Sequence, residues 1–483
     1  MQTGATDNVI IGEEAGQALI DGDDNVFIGE DAGYNTTTAS DNTFVGNSAG
    51  RSNTTGYRNA FFGTEAGWDN TTGHHNTAIG DSAGIDNSIG IYNTMVGAAS
   101  GVATEYADFN TFIGAKSGWD NNRTNRDNNA NRNTYVGFQS GASNREGQDN
   151  VGLGAFSGYG RSSSVLSTGD FSFTGNTTRQ RTTFIGAQAI AAQNDVITMG
   201  FYSYNEGQYA IGIGNEANMQ NAIGAIGIGF QFASTDLSDY SIGIGYQANI
   251  AEDNAIGIGN AVNVNNALAI AIGSQTIAQN DGAIVIGYGA QSNDVIDNTE
   301  GAIDAVTNIA IGYNATVSGE NAIAIGKSAS ASNANTMVLG GATFPLSVGI
   351  GTDNPNPLAA LDLSGTGKGL LLNRMTTAER TTLQANLGPT EASLMVFDTT
   401  ENKIFSWTGT DWQLVEANTD NQDLTLDNNN LTISNGATTI DLSSYLDNTD
   451  NQDLTLDTNT LTISNGSNAI DLSSYLDNTD NQD

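Results

Sequence analysis

Along the first part of the chain, a polar residue, a short apolar run and a glycine recur every seventeen residues. The copies are NVIIG (8–12), NVFIG (25–29), NTFVG (42–46), NAFFG (59–63), NTAIG (76–80), NTMVG (93–97) and NTFIG (110–114). They close on Gly12, Gly29, Gly46, Gly63, Gly80, Gly97 and Gly114, and a second glycine follows four residues after each. Alternation within each phrase predicts a short strand. In NTFIG, Thr111 and Ile113 share one face, and Asn110, Phe112 and Gly114 share the other. A fixed short period predicts a solenoid, each repeat being one coil stacked on the last. Both strand faces are largely apolar. One fills the coil's own core, and the other needs a cover, for which a second copy of the chain is the economical choice.

From Gly186 the period shortens to fourteen, through Gly200 and Gly214 and again from Gly245 to Gly287. The phrase becomes AIGIG (255–259), AIAIG (269–273), AIVIG (283–287) and AIAIG (322–326). Ile256 and Ile258 keep one face, while the opposite face is now Ala or Gly. Small residues there predict that packing between subunits tightens, or that the stack narrows, from about residue 200. Polar inserts at 121–132, 159–181 and 288–308 read as loops off the stack. About twenty coils give a head on the order of 100 Å long.

The 200–340 stretch, in both phrase and period, resembles the head repeats of trimeric autotransporter adhesins. That resemblance implies a left-handed parallel β-roll in a trimer. The seventeen-residue section is similar to the NTFIGxxAG repeats of bacterial surface proteins and phage-like tail fibres. Its three extra residues per coil leave a larger ring of chains open.

Residues 345–416 break the rhythm, and the segment VGIGTDNPNPLAALDL, from residue 348 onward, resembles the one that ends many tail-fibre and adhesin heads. Thr376 with Glu379 predicts a capping box opening a short helix. Leu383 and Leu387 lie one turn apart on it, and Gly388-Pro389 ends it. Strands are predicted at 393–398, 403–407 and 411–415. Residues 419–448 and 449–478 are two copies of a thirty-residue unit with alternating strands around an SNG turn. The chain thus divides into a seventeen-residue-period head (1–190), a fourteen-residue-period β-roll (191–344), an α+β collar (345–416) and β-rich stalk repeats (417–483). TDNQD (479–483) opens a further copy, so the polypeptide is expected to continue. Similar Asp/Asn-rich units occur in long secreted proteins of gliding marine bacteria, which implies export by a type IX route.

Charge and composition narrow the chemistry. The formal net charge is −38, with Lys and Arg totalling 15, which excludes a phosphate-binding surface and hence nucleic acid. Absence of cysteine removes disulfides and thiol chemistry. No apolar run approaches the roughly twenty residues of a membrane helix. His74 and His75 are the only histidines; a metal pair is outweighed by two solvated loop residues. GTGKG (365–369) lacks the spacing of a phosphate loop. DNTDNQD (447–453) offers oxygen ligands to Ca²⁺ but lacks the glycine and terminal Glu of an EF-hand, so solvated linker is the better reading. No catalytic site, metal or cofactor is expected. A polysaccharide-cleaving solenoid would need clustered acids in a groove.

Two columns remain. Tyr34, Trp68, Trp119 and Tyr159 occupy the slot after the second glycine, and Trp68-Asp69-Asn70 is echoed by Trp119-Asp120-Asn121. An aromatic plate beside Asp69 and Asp120 suits a sugar ring, although packing at coil corners is the commoner use. Asn8, Asn25, Asn42, Asn59, Asn76, Asn93, Asn110, Asn133 and Asn150 recur in one slot and predict a structural amide ladder. The neighbouring threonines are too sparse for an ice-binding lattice. The expected function is a secreted, extracellular, homo-oligomeric adhesin fibre that meets a cell surface or glycan, with a phage or injection-machine tail fibre as the alternative.

Overall fold

The computed structural model describes residues 4–122, 129–158, 179–293, 308–364 and 367–415. Beyond these it describes the strands Leu424–Asp427, Asn430–Ile433, Thr439–Asp441, Leu454–Asp457, Thr460–Ile463 and Ile470–Asp471. Most of the three predicted loop inserts, together with Tyr159, the SNG turns and the DNTDNQD phrase, lies outside the described residues. The chain forms two compact units: residues 1–348 with 357–360, and residues 349–356 with 361–483.

The first unit is a parallel β-solenoid. The strand in each phrase covers only the middle three residues, as in Val26–Ile28 and Thr43–Val45. Each pairs in parallel with the equivalent strand of the next coil, Phe27 opposite Phe44 and Phe44 opposite Phe61. The ladder runs to Met337–Gly341, where the antiparallel strand Phe344–Pro345 closes a sheet of 21 strands.

Burial decides which face is the core. Phe27, Phe44, Phe61 and Phe112 are fully buried, whereas Ile79 and Ile113 are about two-fifths exposed. The Asn and Phe side therefore points inward, and the Thr and Ile side points outward. Inside, the rings of Phe27, Phe44 and Phe61 stack at 5.1 and 4.9 Å, close to the spacing of neighbouring strands. The two glycines of each coil answer to this packing. A Cβ on Gly50 (φ +58°) would lie 2.7 Å from the Phe44 ring. One on Gly46 (φ +145°) would lie 2.2 Å from the Gly63 carbonyl of the next coil.

The change of period is a change of cross-section. In the seventeen-residue coils the rest of the circuit is turns. From Ile190–Ala191 onward a second parallel ladder of ten two-residue strands replaces them. Its inward residues, including Met219, Ile250 and Val264, fill the space that Phe occupied earlier. The small residues of the AIGIG phrase face these side chains: a Cβ on Gly257 would lie 2.4 Å from Ile250. The stack thus narrows internally. Tighter packing between subunits, the other expectation for these small residues, is not their role, because they are enclosed within one chain.

The second unit contains a four-stranded sheet of Arg374–Met375, Met395–Asp398, Lys403–Trp407 and Trp412–Leu414. The helix Thr377–Gln384 carries the predicted capping box between Thr376 and Glu379. It stops at Ala385, before Leu387, so Leu383 and Leu387 are not one turn apart on it, and Pro389 opens a separate 3-10 turn, Pro389–Glu391. Each stalk repeat contributes a three-stranded antiparallel sheet, with Leu431 and Leu461 buried at the centre.

Candidate functional site

The solenoid presents two unlike faces. On the 21-stranded sheet the outward residues form paired columns: Ile256 beside Ile258, Ile270 beside Ile272, Ile284 beside Ile286. Their register is continuous, Ile256 opposite Ile270 and Ile258 opposite Ile272. Ile244, Ile258, Ile272 and Leu339 are each more than a third exposed. In the seventeen-residue coils the outward pair is more often Thr with Ile or Val, as in Thr77 with Ile79. On the ten-stranded sheet the outward residues are mainly polar: Asn218, Asn249, Asn263, Gln291, Thr316 and Ser330. Strands with both faces apolar occur where both faces are covered. One side of this solenoid is therefore built for contact and the other for water.

The asparagine column is a hydrogen-bonded ladder. Asn93 Oδ1 accepts the backbone N–H of Asn110 at 3.0 Å, and Asn93 Nδ2 donates to the Ala107 carbonyl at 2.7 Å. Asn25, Asn42, Asn59 and Asn76 repeat the pattern, and Thr182 ends it by donating twice to Asn150 Oδ1. A second ladder escaped the sequence reading. Asn70 donates to Asn53 at 2.8 Å and Asn87 to Asn70 at 2.9 Å, all three being fully buried. Its signal was the same seventeen-residue spacing, hidden in segments with no apolar pattern.

The aromatic slot is filled along the stack. Arg51 occupies the same slot in the coil between Tyr34 and Trp68, and its guanidinium lies 5.0 Å from the first ring and 5.6 Å from the second. Arg51 is also paired to Asp31 at 3.1 Å. Trp119 carries the Lys116 ammonium 4.3 Å from its ring. Asp120 is buried and faces Arg145 at 3.5 Å, while Asp69 stays exposed and accepts from the Ser52 hydroxyl at 3.3 Å. Cations thus lie against three of the rings proposed as sugar plates. Arg51 stands at the right spacing in the sequence, but a cation carries no signal for a column defined by aromatic rings.

At another corner lies an exposed aromatic column. His74 stacks on Tyr57 and His75 on Tyr92, both at 4.6 Å, and Tyr92 stacks on Phe109 at 5.4 Å. The two imidazoles share a 2.9 Å contact between their Nδ1 atoms. Burial, then His74 and Arg58, hold the pKa of His75 below its ordinary value. The pair is half-buried in this column rather than freely solvated. Among the described residues no three His, Asp or Glu side chains converge as a metal site, and no helix is long and apolar enough to cross a membrane.

These faces and repeats have counterparts in known families. Residues 265–290, 309–329 and 318–343 match the YadA head domain repeat. These stretches lie among the coils that carry the double Ile column. Residues 349–431 match a phage tail-like trimerisation region. No curated protein matches the chain. The chain therefore joins adhesin-type head repeats to a tail-type trimerisation segment.

That segment has the surface its description requires. Ile350, Leu361, Leu363, Leu370, Leu371, Met395 and Val415 are all at least two-fifths exposed. The collar also carries a buried ion pair. Asp398 accepts from Arg380 Nε at 2.9 Å, from the Thr377 hydroxyl at 2.9 Å, and from the backbone N–H groups of Thr400 and Glu401. The Arg380 guanidinium also lies 3.6 Å from the Phe405 ring.

Proposed function

We propose that three copies of this chain assemble side by side through the outward apolar columns and the collar, forming a surface-exposed fibre whose head serves in attachment. The continuous Ile stripe carries this reading. At about 4.8 Å per rung and about 10 Å of strand width, the outward face of the long sheet covers on the order of 1,000 Å², of which the double Ile column of the fourteen-residue coils makes about 400 Å². Monomers seldom expose a patch beyond about 300–600 Å². A stable interface needs roughly 800 Å² from each partner. The polar second sheet suits the outside of such an assembly.

Ile258→Asp combined with Ile272→Asp puts a carboxylate at the centre of the stripe on two successive coils. Both side chains point away from the coil's own core, so each chain keeps its fold. The expected result is loss of assembly together with loss of attachment to target cells. Retained assembly in the double variant would overturn the reading. The tail-type match favours a second base for the same fibre, a phage or contractile particle. Immunogold labelling separates the two, marking either the cell surface or the particle.

A further inference from the structure

Where the fourteen-residue coils begin, two tyrosines stand side by side on the polar face. Tyr202 and Tyr204, from one coil, and Glu216 and Asn218, from the next, line an open groove of about 420 Å³. Tyr202 is 43% exposed, and the Phe201 ring meets it edge-on at 4.4 Å, which fixes its orientation. The Tyr204 hydroxyl donates to Glu206. Glu216 accepts from Gln231 through Oε2 at 2.8 Å, leaving Oε1 turned to no partner among the described residues. Asn218 Oδ1 is buried and has no hydrogen-bond partner among the described residues.

We infer that this groove binds a neutral pyranose ring of a surface glycan. The chemistry is specific in two respects. A pyranose has one face of C–H groups, which packs on an aromatic ring, and a rim of hydroxyl donors. The groove offers phenol rings together with one buried acceptor that has no donor among the described residues, Asn218 Oδ1, and an exposed carboxylate oxygen, Glu216 Oε1. A buried acceptor left unpaired is costly, and a hydroxyl donor relieves it. A quaternary ammonium ion would match the rings and the carboxylate but brings no donor for Asn218. The rings of Tyr34, Trp68 and Trp119, by contrast, already lie against cations. Tyr204 and Asn218 belong to the outward row of the ten-stranded sheet, so assembly through the Ile stripe leaves them open.

This inference deepens the attachment reading by naming a ligand class. Tyr204 and Asn218 lie on the face away from the Ile stripe, so failure of this site is separable from failure of assembly. The test is saturation-transfer NMR and calorimetry on the whole chain. The panel is the methyl α- and β-pyranosides of glucose, galactose, mannose, fucose and N-acetylglucosamine. Tyr202→Asn keeps a residue that tolerates the local φ of +56° but removes the ring. Asn218→Ala removes the acceptor. Tyr246→Asn, at an exposed tyrosine stacked on Phe230 outside the groove, is the control. At least one pyranoside should bind, about tenfold or more weaker in each groove variant and unchanged in the control. No binding by any pyranoside, or binding unchanged in both groove variants, overturns the inference. Mass photometry on the same samples separates this failure from that of the assembly reading. An intact oligomer that binds no sugar sinks the groove alone.

Discussion

Two kinds of buried residue hold each coil, an aromatic ring and an amide, and they fail differently. Asn93 answers one N–H and one carbonyl of neighbouring segments that no water reaches. Asn93→Ala leaves both unpaired, at roughly 1–3 kcal/mol for each group. Thermal or denaturant unfolding should register a loss of about 2–6 kcal/mol, far above the cost of an exposed Asn→Ala change. Tyr135 is the opposite case. It stands in the ring stack between Phe112 at 5.5 Å and Phe184 at 5.8 Å, fully buried, and its hydroxyl lies near Asn150 but makes no hydrogen bond of good geometry among the described residues. Burial pushes that hydroxyl's pKa upward. Tyr135→Phe should be neutral or stabilising by about 1 kcal/mol, and a clear loss of melting temperature would show that the hydroxyl is needed. The first amide column was legible because each Asn opens a strand phrase. Asn53, Asn70 and Asn87 sit three residues beyond a glycine in irregular backbone, where periodicity without hydrophobicity is easy to overlook.

The strands are too short to be stable alone, and each acquires order from its neighbours in the stack. This is why the repeat was so readable: the same local rule is imposed by the same packing twenty times over. The collar has no such redundancy. Its capping box is a local device and was visible as Thr376 with Glu379. Its buried carboxylate was not, since Asp398 lies 18 residues from Arg380 and only the tertiary fold joins them. Desolvation raises the pKa of Asp398, but bonds from Glu401, Thr377, Arg380 and Thr400 outweigh it and hold the value below the ordinary 3.8. The folded collar thus favours the ionised form more than the unfolded chain does. Its contribution is complete above about pH 4 and is lost as pH falls through the depressed folded value. Asp398→Asn should lower the collar's melting temperature at pH 7 and flatten its dependence on pH between about 5 and 2. An unchanged acid profile would mean that Asp398 is not the group that titrates. The helix end was misjudged for a related reason. Leu387 continues the apolar spacing, yet the chain leaves the helix at Ala385.

At the scale of the whole chain, the sequence announced two apolar strand faces without saying which one was inside. The ring stack decides that: phenyl groups fill the seventeen-residue coil, and Ile is left outside. In the fourteen-residue coils a second ladder brings its own side chains inward, so the inner phrase positions shrink mostly to Ala and Gly, while one outer column stays apolar throughout and its neighbour changes from mostly Thr to Ile. That persistence through a change of cross-section points to a constraint from beyond the chain itself. The same apolar exposure recurs in the collar segment that matches a trimerisation region. The most direct measurement is mass photometry of the purified chain at nanomolar dilution. The account predicts a single species of three chains, about 150 kDa, three times the chain's 50.1 kDa. A folded species at 50.1 kDa, keeping its β signature with the Ile columns open to water, would contradict it.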